Sequence, residues 1–144
     1  MNQEKEERIL AIDYGLKRIG LALCDPLKIF AYPYKTIEND PLLWTNILAE
    51  IQKNCVVEVL LGYPLKENGS KSSSTEFVEK FHEELKTKLN IPVRLWDERY
   101  SSELAKSRIL ESVTSKKKRR DKGLVDRNAA SVILQEYLDQ IKRP

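Results

Sequence analysis

Residues 9–12, Ile-Leu-Ala-Ile, form an apolar run that stops at Asp13, with Gly15 two residues on. A run without a polar face reads as a strand covered on both sides. Residues 8–13 are thus a first predicted strand, "RIGLALCD" (18–25) a second and "KIFAYPYKTI" (28–37) a third. Pro33 assigns the third to an edge or a bulge. Short connections make these three an antiparallel meander. "PLLWTNILAEIQKN" (41–54) puts Pro41 in a first helical turn, and Leu43, Ile47 and Ile51 follow at helical spacing. "CVVEVLLGYP" (55–64) is a further buried strand, ended by Gly62 and Pro64. Ser73 and Glu76 have capping-box spacing ahead of a helix whose apolar face carries Phe77, Phe81, Leu85 and Leu89. His82 lies off that stripe and is expected to be exposed. "IPVRLWDE" (91–98) is a fifth strand, again ending in carboxylates. A helix over about 102–111 follows, then a basic segment. "DRNAASVILQEYLDQI" (126–141) closes the chain as a helix, with Ala129, Val132, Ile133, Tyr137 and Ile141 on one face.

Strands alternating with helices late in the chain imply parallel pairing, and the early meander implies antiparallel pairing. The expected architecture is α/β, a five-stranded mixed sheet flanked by helices. With no repeat, low-complexity tract or linker, residues 1–144 read as a single domain.

Composition narrows the class. Hydrophobic residues make up 41% and charged residues 33%, a globular balance. No apolar run approaches the roughly 20 residues of a membrane span, and the polar N-terminus has no signal-peptide core. A cytoplasmic location is expected. Cys24 and Cys55 both fall in apolar strand-like runs, so two buried, reduced thiols are expected. Their spacing, with a single histidine, argues against zinc. The net charge of +3 conceals an asymmetry: "KKKRRDK" (116–122) alone carries +5, and the rest of the chain −2. Such a run is either a solvated loop or a phosphate contact.

Candidate chemistry sits where the apolar strands end. Asp13 closes the first, Asp97 and Glu98 close the fifth, and Asp126 opens the last helix. Each has an ordinary reading: Asp13 as a turn opener, Glu98 as a partner of Arg94, Arg99 or Arg108, Asp126 as an N-cap. Asp13 has no basic residue beside it in its strand, and together the three make a hard oxygen site suited to Mg2+ or Mn2+.

"AIDYGLKRIGLALCD", "LLGYPLKENGS", "WDERYSS" and "KGLVDRNAASVILQEYL" resemble, in order and along nearly the whole chain, the YqgF/RuvX family. Its members are bacterial ribonuclease H-like proteins described as Holliday-junction-resolvase-like and as pre-16S rRNA nucleases. The resemblance implies a ribonuclease H-like fold and gives Asp13, Glu98 and Asp126 the roles of catalytic, metal-binding acids. Asp97 and Glu98 point to opposite faces of a strand, and Glu98 is the expected ligand. Two metal ions would activate water and relieve charge on the leaving oxygen. Lys17, Arg18, Asn68 and Arg99 are candidate substrate contacts, with Lys116, Lys117, Lys118, Arg119 and Arg120 as a phosphate-binding segment beside the acids. Arg18 has an alternative reading as half of a structural ion pair, and Asn68 as a turn residue.

The function so implied is metal-dependent hydrolysis of structured nucleic acid, with processing of the 5′ end of pre-16S rRNA as the family's task. A Holliday junction resolvase acting on DNA is the same chemistry on another substrate. A non-catalytic nucleic-acid-binding module in transcription would keep the basic segment and tolerate loss of the acids. A sugar-kinase-type ATPase would read "DYGLKRIG" as a phosphate turn but needs a second domain. Monomer and homodimer both fit the sequence.

Overall fold

The computed structural model describes residues 6–66, 68–98 and 122–142. The elements run β1 (Arg8–Asp13), β2 (Arg18–Cys24), β3 (Ala31–Glu38), α1 (Leu43–Lys53), β4 (Val56–Tyr63), α2 (Ser73–Lys88), β5 (Val93–Asp97) and α3 (Lys122–Ile141). The sheet order is β3-β2-β1-β4-β5. β1–β2 and β2–β3 pair antiparallel, whereas β1–β4 and β4–β5 pair parallel. The expected mixed sheet is therefore the observed one. Pro33 lies on an edge strand, beside the register shift between Leu21 and Ala22. The helix expected over 102–111, Arg99 and Lys116–Arg120 lie outside the described residues.

β1 is central, which explains its unbroken apolar run. Leu10 and Ile12 join Leu21, Leu61, Ile47 and Phe81 in the core beneath α1 and α2. Ile9 and Ala11 join Ala22, Leu60, Ile133 and Leu134 beneath α3. Two polar ties hold α3 to the parallel half of the sheet: Trp96 Nε1 donates to Glu136 (3.0 Å), and the Tyr137 hydroxyl donates to Glu58 (2.6 Å).

Several expectations shift. β3 starts at Ala31 because the Asp25 carboxylate accepts hydrogen bonds from the amides of Leu27, Ile29 and Phe30, pulling those residues into a turn. The capping box of α2 is formed by Ser72 and Thr75, not Ser73 and Glu76. Its buried face is Thr75, Val78, Phe81 and Leu85, and Phe77 is left exposed. His82 is half-buried rather than exposed. Cys24 is buried as expected, but Cys55 is exposed, in a positive-φ turn (φ 51°) before β4 rather than within it. α3 begins a turn earlier than expected, so Asp126 lies inside the helix and does not cap it. Ile141, at the far end, is exposed.

Candidate active site

The two-residue period of β-strands assembles the site. Asp13 has the parity of Ile9 and Ala11, on the α3 face. Its cross-strand partner on β2 is Gly20. On the other side Ile12 pairs with Leu61, so Gly62 follows beside Asp13, and Gly62 pairs with Trp96 of β5. Trp96 packs beneath α3, and Glu98, two residues on, falls on the same side. The Glu98 amide donates to the Tyr63 carbonyl (3.2 Å), extending the β4–β5 ladder to this residue.

Two glycines give the acids room. A Cβ at Gly62 would collide with the Glu98 carboxylate, so the bare backbone there is what lets Glu98 lean across β4. A Cβ at Gly20 would collide with the backbone of Asp126 and Arg127, so α3 rests directly on β2 at the site. Arg127 fastens this end of α3 to the sheet: its Nη1 donates to Thr36 Oγ1 (3.0 Å), and Thr36 is Gly20's partner on β3. Neither Arg127 nor the clearance at Gly62 was foreseen from the sequence. The Gly-Tyr-Pro ending of β4 was the available signal.

Burial raises the Asp13 pKa well above the ordinary carboxylate value, and the charges of Glu98 and Asp126 push it the same way. Burial also pushes Glu98 up to about 7, with Asp97 and Asp126 adding to the rise. The Asp13–Glu98 hydrogen bond raises Asp13 and lowers Glu98. The two carboxyls therefore share a proton between them, and both hold it more tightly than an ordinary carboxylate. The pair is not sealed, because Glu98 lines a cleft of about 170 Å³ with Tyr14, Gly15, Leu16, Pro64 and Phe77.

The other candidates are placed as follows. Arg18 Nε stands 3.7 Å from Asp126 Oδ2, so Asp126 has a basic partner. That Nε is buried without a hydrogen-bond acceptor, so the contact is an ion pair alone. Arg94, one suggested partner of Glu98, instead pairs with Glu58 at 2.5 Å. Asp97 is exposed, and Glu98 is the one that meets Asp13. Lys17 is exposed on the β1–β2 turn. Asn68 is engaged within its own turn, its side-chain oxygen accepting from the Ser70 amide (3.0 Å) and hydroxyl (2.7 Å).

The donor set fits a hard cation: carboxylate oxygens, two of them in contact, with surplus negative charge in a desolvated place. Among the described residues no group of three His, Cys, Asp or Glu side chains is arranged to hold a metal ion. The pair is assembled, and the third acid faces Arg18.

An antiparallel meander continued by parallel strands, with Asp13 closing the central strand, is a ribonuclease H-like fold. Residues 7–140 match the family model "RuvX: Holliday junction resolvase", and the chain belongs to the RuvX family. It is 43% identical over 134 residues to the "Putative pre-16S rRNA nuclease" of Chlorobium phaeobacteroides, covering 92% of each chain. The protein of that name from Porphyromonas gingivalis is 42% identical over 138 residues, covering 94% of this chain and 99% of that one. Among solved structures, T. thermophilus RuvC in complex with a Holliday junction substrate superimposes with a TM-score of 0.58. It is 12% identical, with 95% of this chain and 96% of that chain covered. Fowlpox virus resolvase with its junction DNA gives a TM-score of 0.52 at 14% identity, covering 93% and 98%. At these identities the two structures speak for the fold alone.

Proposed function

We propose that this chain is a metal-dependent endonuclease that hydrolyses phosphodiester bonds in structured RNA. Its task is processing of the 5′ end of pre-16S rRNA in the cytoplasm during ribosome biogenesis, with residues 1–144 acting as one domain. The observation that carries this reading is the desolvated Asp13–Glu98 pair, with Asp126 alongside, opening into a cleft at the C-terminal ends of β1 and β4. Ligands of open α/β sheets bind at that end. The names of the relatives support RNA as the substrate.

Asp13, Glu98 and Asp126 would hold Mg2+ or Mn2+, which when bound supplies water activation and charge relief on the leaving oxygen. The chain's own contribution is positional. The strand ends and the two glycines set the acids before substrate arrives, so little reorganisation is left to the chemical step. Their partial burial weakens the screening that water gives at an open surface. Arg18 and Lys17 stand at the adjoining turn, where a phosphate can be neutralised. The site's charge favours a cation, since three acids set against the single Arg18 guanidinium would repel a phosphate brought to them without one.

The test is cleavage of labelled pre-16S rRNA and of a four-way DNA junction, side by side, with Mg2+ or Mn2+. Wild type is expected to cut the RNA. Asp13→Asn and Glu98→Gln are expected to lose at least about a hundredfold in rate, a few kcal/mol of transition-state stabilisation, while still binding. Preferential cutting of the junction would assign the chain to DNA resolution instead. Unchanged activity in both variants would leave a nucleic-acid-binding module.

A further inference from the structure

Two large apolar side chains stand exposed beside the acid pair: Leu16, 61% exposed on the β1–β2 turn, and Phe77, 46% exposed on the first turns of α2. Single exposed apolar residues are commonplace. These two come from different elements, and both line the cleft that Glu98 lines. Both also line a second cleft of about 260 Å³, which carries Lys80 and Asn39 together with Glu84. They thus form a wall common to a cleft with a catalytic acid and a cleft with a cation. The wall has a firm back. Tyr14, present in both linings, packs on Phe81 with ring centroids 4.5 Å apart, and Phe81 packs on Trp44 at 5.2 Å. Gly15 presents Leu16 there by a turn so tight that a Cβ would collide with the Arg18 carbonyl.

We infer that Leu16 and Phe77 form a subsite for an unpaired nucleobase next to the scissile phosphate. The inference rests on the nuclease reading and deepens it by naming the substrate feature the site selects. A base is tied to its phosphate through a single sugar, so any strand with a phosphate at Glu98 must place a base within a sugar's reach of this wall. An unpaired base offers an apolar face to an aromatic ring and an aliphatic side chain, whichever base it is. A base held in a duplex has both faces occupied by its neighbours and gains nothing there. Lys80, beyond the wall, can neutralise the next phosphate along the strand.

The probe is a single-stranded RNA oligonucleotide spanning the cleavage position, with 2-aminopurine beside the scissile phosphate, and a DNA version of the same sequence. Its emission is expected to change on binding wild type, through stacking on Phe77. Phe77→Ala is expected to abolish the change and weaken binding roughly tenfold or more, with Phe77→Tyr restoring both. Leu16→Ser, on an exposed turn, gives a second variant whose fold is not at issue and is expected to weaken both responses. A matching duplex is expected to be insensitive to either substitution. An RNA response without a DNA response would place the subsite's selectivity in the sugar as well as the base. An unchanged optical response in Phe77→Ala, or none in wild type, overturns the subsite. Cleavage by wild type and its loss in Asp13→Asn report on the nuclease reading separately, because the optical signal needs no cutting.

Discussion

Asp13 and Glu98 bind protons more tightly in the folded chain than in the unfolded one. The unfolded state therefore holds fewer protons between the ordinary carboxylate range and the raised values. Stability from this pair is full below about pH 4 and falls as pH rises through the raised values, about 7 for Glu98. Glu98 moves from 4.5 to about 7, which at about 1.4 kcal/mol per unit amounts to about 3 kcal/mol. Urea melts with chelator present should show wild type losing stability across that window and Glu98→Gln losing less, the remainder coming from the burial of Asp13. At pH 7.5 the inactive Glu98→Gln should be the more stable protein by about 1–3 kcal/mol. The glycines make a complementary prediction. In Gly62→Ala the added methyl meets a side chain that can swing aside, so cleavage should fall about tenfold or more at a cost of about 1 kcal/mol in a denaturant melt. In Gly20→Ala it meets helix backbone, and the melt should show a loss of about 1–3 kcal/mol. Asp13 and Glu98 were legible in the sequence because an acid closing an apolar strand is conspicuous. The clearance at Gly62 was not, since it depends on how far a neighbouring side chain leans.

α3 both closes the core and carries Asp126, so its packing and the site's geometry are linked. Leu134 is fully buried against the sheet. Leu134→Ala should cost about 2–5 kcal/mol in a denaturant melt and should also reduce cleavage measured well below the melting temperature, because the helix seat moves. At this scale the sequence is informative where periodicity is strong. β1, β2, β4, α1 and the Ala129–Tyr137 face of α3 all follow from it. It misleads where local hydrogen bonding competes with pattern. Asp25 takes Ile29 and Phe30 out of β3, Thr75 moves the cap of α2 by one residue, and Phe77, four residues before the buried Phe81, lies on the surface. Asp126 looked like a helix start because Asp is a good cap, whereas α3 begins a turn earlier.

For the molecule as a whole, the meander followed by parallel strands was readable from the order of elements, since long crossovers dictate parallel pairing. An ion pair for Arg18 was one of its two readings, but Asp126 as the partner was not, because that depends on where α3 sits over the sheet. No helix among the described residues is long and apolar enough to cross a membrane. Chelation should abolish cleavage, and Mg2+ or Mn2+ should restore it. The same ions should raise the melting temperature of wild type and not of Asp13→Asn, since only a ligand that prefers the folded state stabilises it. The alternation that places Asp13, Gly20, Gly62 and Glu98 on one side of the sheet also dictates how the chain tolerates changes of length. Losing or gaining one residue within β1 or β5 would rotate an acid to the α1–α2 side, where it meets hydrocarbon and no companion acid. A change of two keeps the facing and merely slides the acid along. Indels in these strands should therefore be counted by parity, odd ones being fatal to the chemistry and even ones open to repair.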